Sequence, residues 1–339
     1  MLISLAACTG TTPDEPVSEE QTYKLGMGVV GSTDSSAEAN AQVDATVAAV
    51  VTDANGVIVD VKIDGVQNKM DISSGKVDFG AEFKTKAEKE FDYNMVAYSE
   101  ATLEWFEQVA NFEDYAKGKT IEELKNTEIK VRDDGLHDGY LVAADPDLFA
   151  KCSIQIGDCI EAISRAVHDD QGMEFTATPG SFKLGVAATS TVDAGSKDAT
   201  AEEDGLCAMY SEFAAAVIDA DGKVLACLTD AIQPKIAFSA EGLVTEGTYL
   251  GTKRELKENY NMVAYSEATL EWYQQAFNFC SYCVGKTANE IGNIETKTRD
   301  DGLHDGYVVA VDPDLFAKCS IQITSMCNVI ARACNYAAK

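Results

Sequence analysis

The chain has 339 residues, with 27 Lys and Arg against 56 Asp and Glu, a formal charge of −29 and a pI near 4.3. So acidic a surface repels nucleic-acid phosphates and anionic headgroups, which excludes a duplex-binding or polybasic membrane-surface role. Its 46% hydrophobic and 24% charged residues are those of a globular protein, and the length suggests about two domains.

At the N-terminus, Leu5-Ala6-Ala7-Cys8 has the small-residue pattern that precedes the modified cysteine of a bacterial lipoprotein. Residues 1–8 read as a truncated lipoprotein signal ending at Cys8, with Met1 an internal or misassigned start, because the basic n-region and most of the apolar h-region are missing. Residues 9–21, rich in Pro, Ser and Glu, read as a polar tether. No other apolar run approaches the ~20 residues of a membrane-spanning helix. Membrane attachment is therefore expected only through a lipidated Cys8, which places the chain outside the cytoplasm on the outer face of the cell membrane.

The rest of the sequence is a tandem repeat. NMVAYSEATLEW at 94–105 returns at 261–272, RDDGLHDGY at 132–140 returns at 299–307, and DPDLFAKCSIQI at 145–156 returns at 312–323. All three share one separation of 167 residues (261 − 94). Upstream, Tyr23-Lys24-Leu25-Gly26 aligns with Phe182-Lys183-Leu184-Gly185, and Asp53-Ala54-Asn55-Gly56 with Asp219-Ala220-Asp221-Gly222. The second copy carries an insertion near Asp193 to Asp204. A period this long implies two whole domains rather than solenoid units. Their expected bounds are 22–167 and 181–338, with a linker at 168–180.

Within one copy, Tyr23 to Val30 is a first strand candidate. Val43, Ala45, Val47, Ala49 and Val51 then alternate with polar or small neighbours, and beyond the Asp-Ala-Asn-Gly turn Val57, Val59, Val61 and Ile63 alternate again. Period two on both sides of Asn-Gly predicts a β-hairpin. Lys76 to Phe79 is a weaker strand candidate. From Ala87 the period lengthens, and Tyr98, Ala101, Trp105, Val109 and Phe112 predict one long amphipathic helix ending before Gly118. A short helix over Thr120 to Lys125 follows. The last helix opens with Asp158 and Glu161 in capping-box spacing, with Ser325 at the capping position in copy two, and it turns Ile160, Ile163 and Val167 inward. Strands followed by helices define an α+β fold: two homologous tandem domains, each an antiparallel sheet packed against helices.

Ten cysteines in an exported chain would ordinarily suggest disulfides, but without Cys8 nine remain, and only Cys152 and Cys319 recur in both copies. Cys159, Cys207, Cys227, Cys283, Cys327 and Cys334 align with apolar residues of the other copy, and Cys280 aligns with Glu113. Free cysteine is a small hydrophobe, so these side chains are expected to pack as free thiols, a state suited to an anaerobic setting. Cys280-Ser-Tyr-Cys283 has CxxC spacing but no partner pair or nearby His.

The lipobox, the Tyr-Lys-Leu-Gly-Met-Gly start, the Val-Asp-Ala-Thr-Val-Ala-Ala-Val strand, the Asp-Ala-Asn-Gly turn, Phe-Lys-Thr-Lys before the helix and Tyr-Ser-Glu-Ala-Thr-Leu-Glu-Trp together resemble a group of lipoproteins from anaerobic Gram-positive bacteria. The resemblance covers essentially all of both copies. It implies address and fold rather than mechanism, because no activity is assigned to that group. The order strand, turn, strand and terminal helix also distantly resembles FMN-binding domains of exported flavoproteins. That resemblance implies flavin contacts at Ser99 and Thr102 in copy one and at Ser266 and Thr269 in copy two, within Ser-Glu-Ala-Thr. Glutamate stands there in place of the glycine of the flavoprotein motif, and its carboxylate would repel the flavin phosphate.

The repeated acidic run supplies the other polar candidates. Asp133, Asp134, His137 and Asp138, with Asp300, Asp301, His304 and Asp305, could offer oxygen ligands to a hard cation such as Ca²⁺, although the spacing is not that of an EF-hand. The plainer reading is an exposed loop. Tyr98 and Trp105, with Tyr265 and Trp272, could line a ligand groove, although at helical spacing such aromatics are most often core. Nucleophile elbows, His-Glu-x-x-His, P-loops and dinucleotide fingerprints are absent from the sequence. The expectation is a non-enzymatic, lipid-anchored tandem-domain protein that binds a small molecule or a cell-envelope partner and no nucleic acid. The alternatives are an extracytoplasmic FMN electron carrier and a divalent-cation-stabilised surface protein.

Overall fold

A computed structural model describes residues 19–99, 101–266 and 268–339. Cys8, most of the tether, Glu100 and Glu267 lie outside the described residues. The first copy runs β1 (Gln21–Ser32), β2 (Asn40–Thr52), β3 (Ile58–Asp71), α1 (Lys86–Lys89), α2 (Met95–Ser99), α3 (Trp105–Ala116), α4 (Ile121–Lys125), β4 (Ile129–Val131), β5 (Leu141–Ala143), α5 (Pro146–Lys151) and α6 (Gly157–Val167). Then β6 (Met173–Ala177) leads into the second copy: β7 (Lys183–Val192), β8 (Gly205–Ile218), β9 (Val224–Ile232), β10 (Lys235–Phe238), β11 (Val244–Thr248), α7 (Lys253–Leu256), α8 (Met262–Ser266), α9 (Trp272–Cys283), α10 (Ala288–Gly292), β12 (Thr296–Thr298), β13 (Val308–Ala310), α11 (Pro313–Phe316) and α12 (Thr324–Ala338). The fold is α+β with antiparallel sheets.

The first sheet has the order β3-β2-β1-β6, and in the second β8 pairs with β7, β9 and β10. Strand alternation divides the core. Odd-numbered residues of β2, from Ala41 to Val51, join Tyr23, Leu25, Met27 and Val29 of β1 in one buried cluster with the second sheet. Ala48 and Val50 face the opposite way and pack with Trp105, Val109 and Phe112 of α3 and Ile163 and Ala166 of α6. The two sheets thus lie face to face, with α3 and α6 outside one and α9 and α12 outside the other. The helices approach closely because glycine allows it: a Cβ on Gly26 would stand 1.9 Å from the Ala166 carbonyl oxygen, and one on Gly185 would stand 2.0 Å from that of Ala333.

The hairpin is built as its alternation implies. Asp53 Oδ1 accepts from the Asn55 and Val57 amides at 2.9 Å, and Gly56 takes φ +77°. The equivalent of β3 in copy two is interrupted at Gln233-Pro234, where proline has no N–H for the ladder. The register survives the interruption, since Ser211 faces Ile232 and Ala208 faces Lys235.

Five local expectations are corrected. The long helix is broken into α1, a 3₁₀ turn over Glu90–Tyr93, α2 and α3: Glu90 and Asn94 take φ 44° and 59°, which ends the helical runs before them, and the Glu104 carboxylate caps the start of α2 by accepting from the Met95 and Val96 amides at 2.7 and 3.2 Å. Lys76 to Phe79 is not a strand; the Val77 amide is taken by Asp198 of the other copy at 2.9 Å. Asp158 and Ser325 lie inside their helices, and the N-cap residues are Ile156 and Ile323, which make no side-chain cap bond. In α6, Ile163 is fully buried but Ile160 and Val167 are half-buried. Gln21, expected in the tether, opens β1, and the 168–180 segment contributes β6, which pairs with β1. Among the described residues no helix is long and apolar enough to cross a membrane.

Candidate functional site

Each copy builds the same corner. In copy one, Asp64 of β3 is buried and accepts from the Gly65 and Ala87 amides at 2.6 and 3.1 Å. Thr85 caps α1 in a reciprocal box with Glu88, and Lys86 extends over the rings of Tyr93 and Trp105, 5.4 Å from each centroid. In copy two, Asp230 accepts from the Ala231 and Arg254 amides at 2.8 and 3.0 Å, Thr252 and Glu255 form the box, and Lys253 lies over Tyr260 and Trp272 at 4.9 and 5.2 Å. Burial pushes both aspartates up to about 6, against the pull of their hydrogen bonds. Glu90 and Lys257, which follow the two short helices, share a glycine-type backbone (φ 44°, ψ −119° and φ 48°, ψ −120°) that folds Tyr93 and Tyr260 back toward the lysines.

Both corners open into cavities. That beside Trp105 is about 1260 Å³ and lies in the seam between copies, where Tyr336 donates to Glu88 at 2.8 Å and Arg332 pairs with the same carboxylate. That beside Trp272 is about 500 Å³ and is lined by copy two alone, including Tyr210, Glu212, Lys253, Tyr260, His304 and Ser325. Tyr210 and Glu212 project from the helix side of β8, at the places held by Asp44 and Thr46 in copy one. Tyr210 adds a third ring, 4.7 Å from the Lys253 ammonium. Burial pushes the Glu212 carboxyl up to about 7, opposed by Ser325 and by the Lys253 charge, and reinforced by Asp230.

The sequence candidates divide by location. Trp105 and Trp272 line the cavities, whereas Tyr98 and Tyr265 are 79% and 81% exposed and stand apart from them. The Ser99 and Ser266 hydroxyls donate to the Met95 and Met262 carbonyls of their own turns at 2.8 Å, and Thr102 and Thr269 are exposed. The acidic runs form tips of two-stranded hairpins closed on themselves. Asp134 accepts from the Leu136 and His137 amides and from Arg132, and Asp138 accepts from the Gly135 amide. Asp301 and Asp305 repeat this pattern, while Asp133 and Asp300 are solvent-facing. The amide of His137 or His304, the largest cause, holds Asp134 and Asp301 down at about 2. Among the described residues no group of three or more His, Cys, Asp and Glu side chains is placed to hold a metal ion. His304 does turn into the second cavity, its Nε2 lying 2.9 Å from the Ser266 carbonyl oxygen.

Sequence reasoning missed the lysines and Glu212. The recurrence of Thr-Lys before the helix, Thr85-Lys86 and Thr252-Lys253, was a usable signal for the corner. For Glu212 the signal was a lone carboxylate in the otherwise small and apolar run Phe213-Ala214-Ala215-Ala216-Val217 of a strand covered on both faces. Comparison of the chain with protein-family models, curated proteins and solved structures finds no match.

Proposed function

We propose that the protein is an extracytoplasmic, lipid-anchored binding protein, non-enzymatic, whose two tryptophan corners receive small molecules. The observation that carries this reading is the repeated corner: the same Asp, Thr, Lys, Tyr and Trp recur in the same bonds, and the Tyr and Trp of each copy line a cavity, Tyr93 and Trp105 in the seam and Tyr260 and Trp272, with Lys253, in copy two. Two sites on one anchored chain double its capacity for a small ligand. The anchor rests on Leu5-Ala6-Ala7-Cys8. The chain's two tryptophans both lie at these cavities, so fluorescence excited selectively at tryptophan, apart from the thirteen tyrosines, reports on the sites. A metabolite library should contain compounds that shift both emission and melting temperature, with Trp105→Phe and Trp272→Phe assigning each to its cavity. A library that moves neither signal overturns the binding reading. Palmitate labelling equal in the full-signal chain and its Cys8→Ala variant overturns the anchor.

A further inference from the structure

We propose that the cavity of the second copy binds a small zwitterion of the α-amino-acid class, its ammonium received by Glu212 and its carboxylate by Lys253. The proposal rests on the binding reading above and names the ligand chemistry of one of its two sites. Glu212 is 1% exposed, and its Oε2 has no hydrogen-bond partner while lining a cavity of about 500 Å³. An orphaned buried acceptor is destabilising, and more so if charged. Nothing in the strand requires that cost, since copy one places Thr46 at the same position. A donor arriving from the cavity would remove it.

Lys253 supplies the complementary half. It is 8% exposed, and its ammonium lies over three ring faces, those of Tyr210, Tyr260 and Trp272. Among the described residues no carboxylate comes within ion-pairing distance of it, Glu212 included. Arg299, the other cation of the cavity, is already committed to Asp301. A ligand carrying only positive charge would be repelled by Lys253, and one carrying only negative charge by Glu212. A molecule with both signs a few ångströms apart compensates both, and the burial of the two groups makes such compensation larger than in water. A neutral polyol could hydrogen-bond both groups but would neutralise neither. Met262, Ile321 and Met326 offer apolar surface to the ligand's side chain, and the volume lies in the range of small-molecule pockets.

The test uses the full chain carrying Trp105→Phe, so that Trp272 alone emits, and calorimetric titration of the unsubstituted chain. Probes are the free amino acids, their N-acetyl and carboxamide derivatives, simple amines and monosaccharides. At least one free amino acid should bind by both measurements, and blocking either its amino or its carboxyl group should weaken binding by on the order of tenfold or more. Glu212→Gln should cause a similar loss in a chain whose melting temperature is not lowered. If monosaccharides or simple amines bind at Trp272 and amino acids do not, the zwitterion assignment is overturned and the binding reading stands. If no compound of any class binds at either cavity, both fall. Binding unchanged by Glu212→Gln removes Glu212 from the site and overturns the proposal.

Discussion

The two copies share a frame and differ in what they bury around it. In copy one the Lys86 side chain is half-buried over two rings, and its cavity is an open seam of mixed charge. In copy two Lys253 is buried over three rings and faces a buried glutamate in a smaller cavity of its own. The invariant parts, Asp64 or Asp230 with Thr85 or Thr252, hold backbone. The variable parts are Thr46 or Glu212 and Asp44 or Tyr210, of which Glu212 and Tyr210 line the cavity of copy two. Between the copies the scaffold hydrogen bonds are kept while the side chains on the adjoining strand diverge.

The largest expected effect lies at a residue only copy two has. Arg254, where copy one has Ala87, donates to both Asp169 oxygens and to the Gln171 carbonyl at 3.0 Å, and both side chains of the pair are under 10% exposed. Asp169 also accepts from the Met27 amide of β1, so the pair ties the copies together. Arg254→Ala strands a buried carboxylate and should destabilise the chain by about 3–5 kcal/mol in urea unfolding. A loss below about 1 kcal/mol would mean that the copies do not depend on this tie.

Next comes Glu212. Its folded-state pKa of about 7 exceeds the ordinary 4.5, so the folded chain holds the proton more tightly than the unfolded one. The stability this contributes is full below pH 4.5 and is lost as pH rises through 7; above that, the buried charge costs on the order of 3 kcal/mol. The groups that set this balance are Ser325, Lys253 and Asp230, and Tyr210 lies beside them. Glu212→Gln should therefore melt above the parent at pH 8, and the gap should close by pH 5. A gap independent of pH would sink the assignment. Asp64 titrates in the same sense in both proteins and cancels in the difference, whereas Asp230, whose charge raises Glu212, leaves a small residual of the same origin.

The strand core was legible because period two marks one face of a strand turned inward: Val43 to Val51 and the Asp53 turn specified β2, β3 and their register, while the covering of the opposite face by helices at Ala48 and Val50 was not in that alternation. Most cysteine positions were legible as packing, and all nine described cysteines are buried and free. The helical region was misread because aromatic spacing records which side chains go inward, not whether the backbone between them is helical; the left-handed residues Asn94 and Asn261 decide that, and Glu104 and Glu271 cap the short helices that follow through amides nine residues upstream. Glu212 escaped because bringing a strand carboxylate to the same cavity as a lysine some forty residues later is a product of tertiary packing alone.

One cysteine that fits no apolar exchange defines a smaller effect. Cys280 replaces Glu113, whose carboxylate is buried, accepts from Lys62 and the Ile63 amide at 2.9 and 2.8 Å, and is pushed up by desolvation against the Lys62 charge. Copy two replaces both partners, with Leu228 at the place of Lys62. Glu113→Cys alone should cost about 1–3 kcal/mol, because the Ile63 amide loses its acceptor. Adding Lys62→Leu should recover part of that loss, with a coupling above roughly 0.5 kcal/mol in a double-mutant cycle. Strict additivity would show that the paired exchange between copies is coincidental.

The smallest effect separates scaffold from site most cleanly. Glu90 and Lys257 hold a backbone conformation that costs a residue with a Cβ on the order of 1–3 kcal/mol, and they hold it at the same point of both copies. Glycine relieves that strain while adding some freedom to the unfolded chain, so Glu90→Gly and Lys257→Gly should each stabilise by about 1 kcal/mol. Lys257 also pairs with Asp170 at 2.5 Å, with side chains 38% and 66% exposed, a contact worth little at that exposure. If the strained turn serves to press Tyr260 onto Lys253, Lys257→Gly should raise the melting temperature yet weaken ligand binding at Trp272. Stabilisation with unchanged affinity would assign the strain to the duplicated scaffold alone.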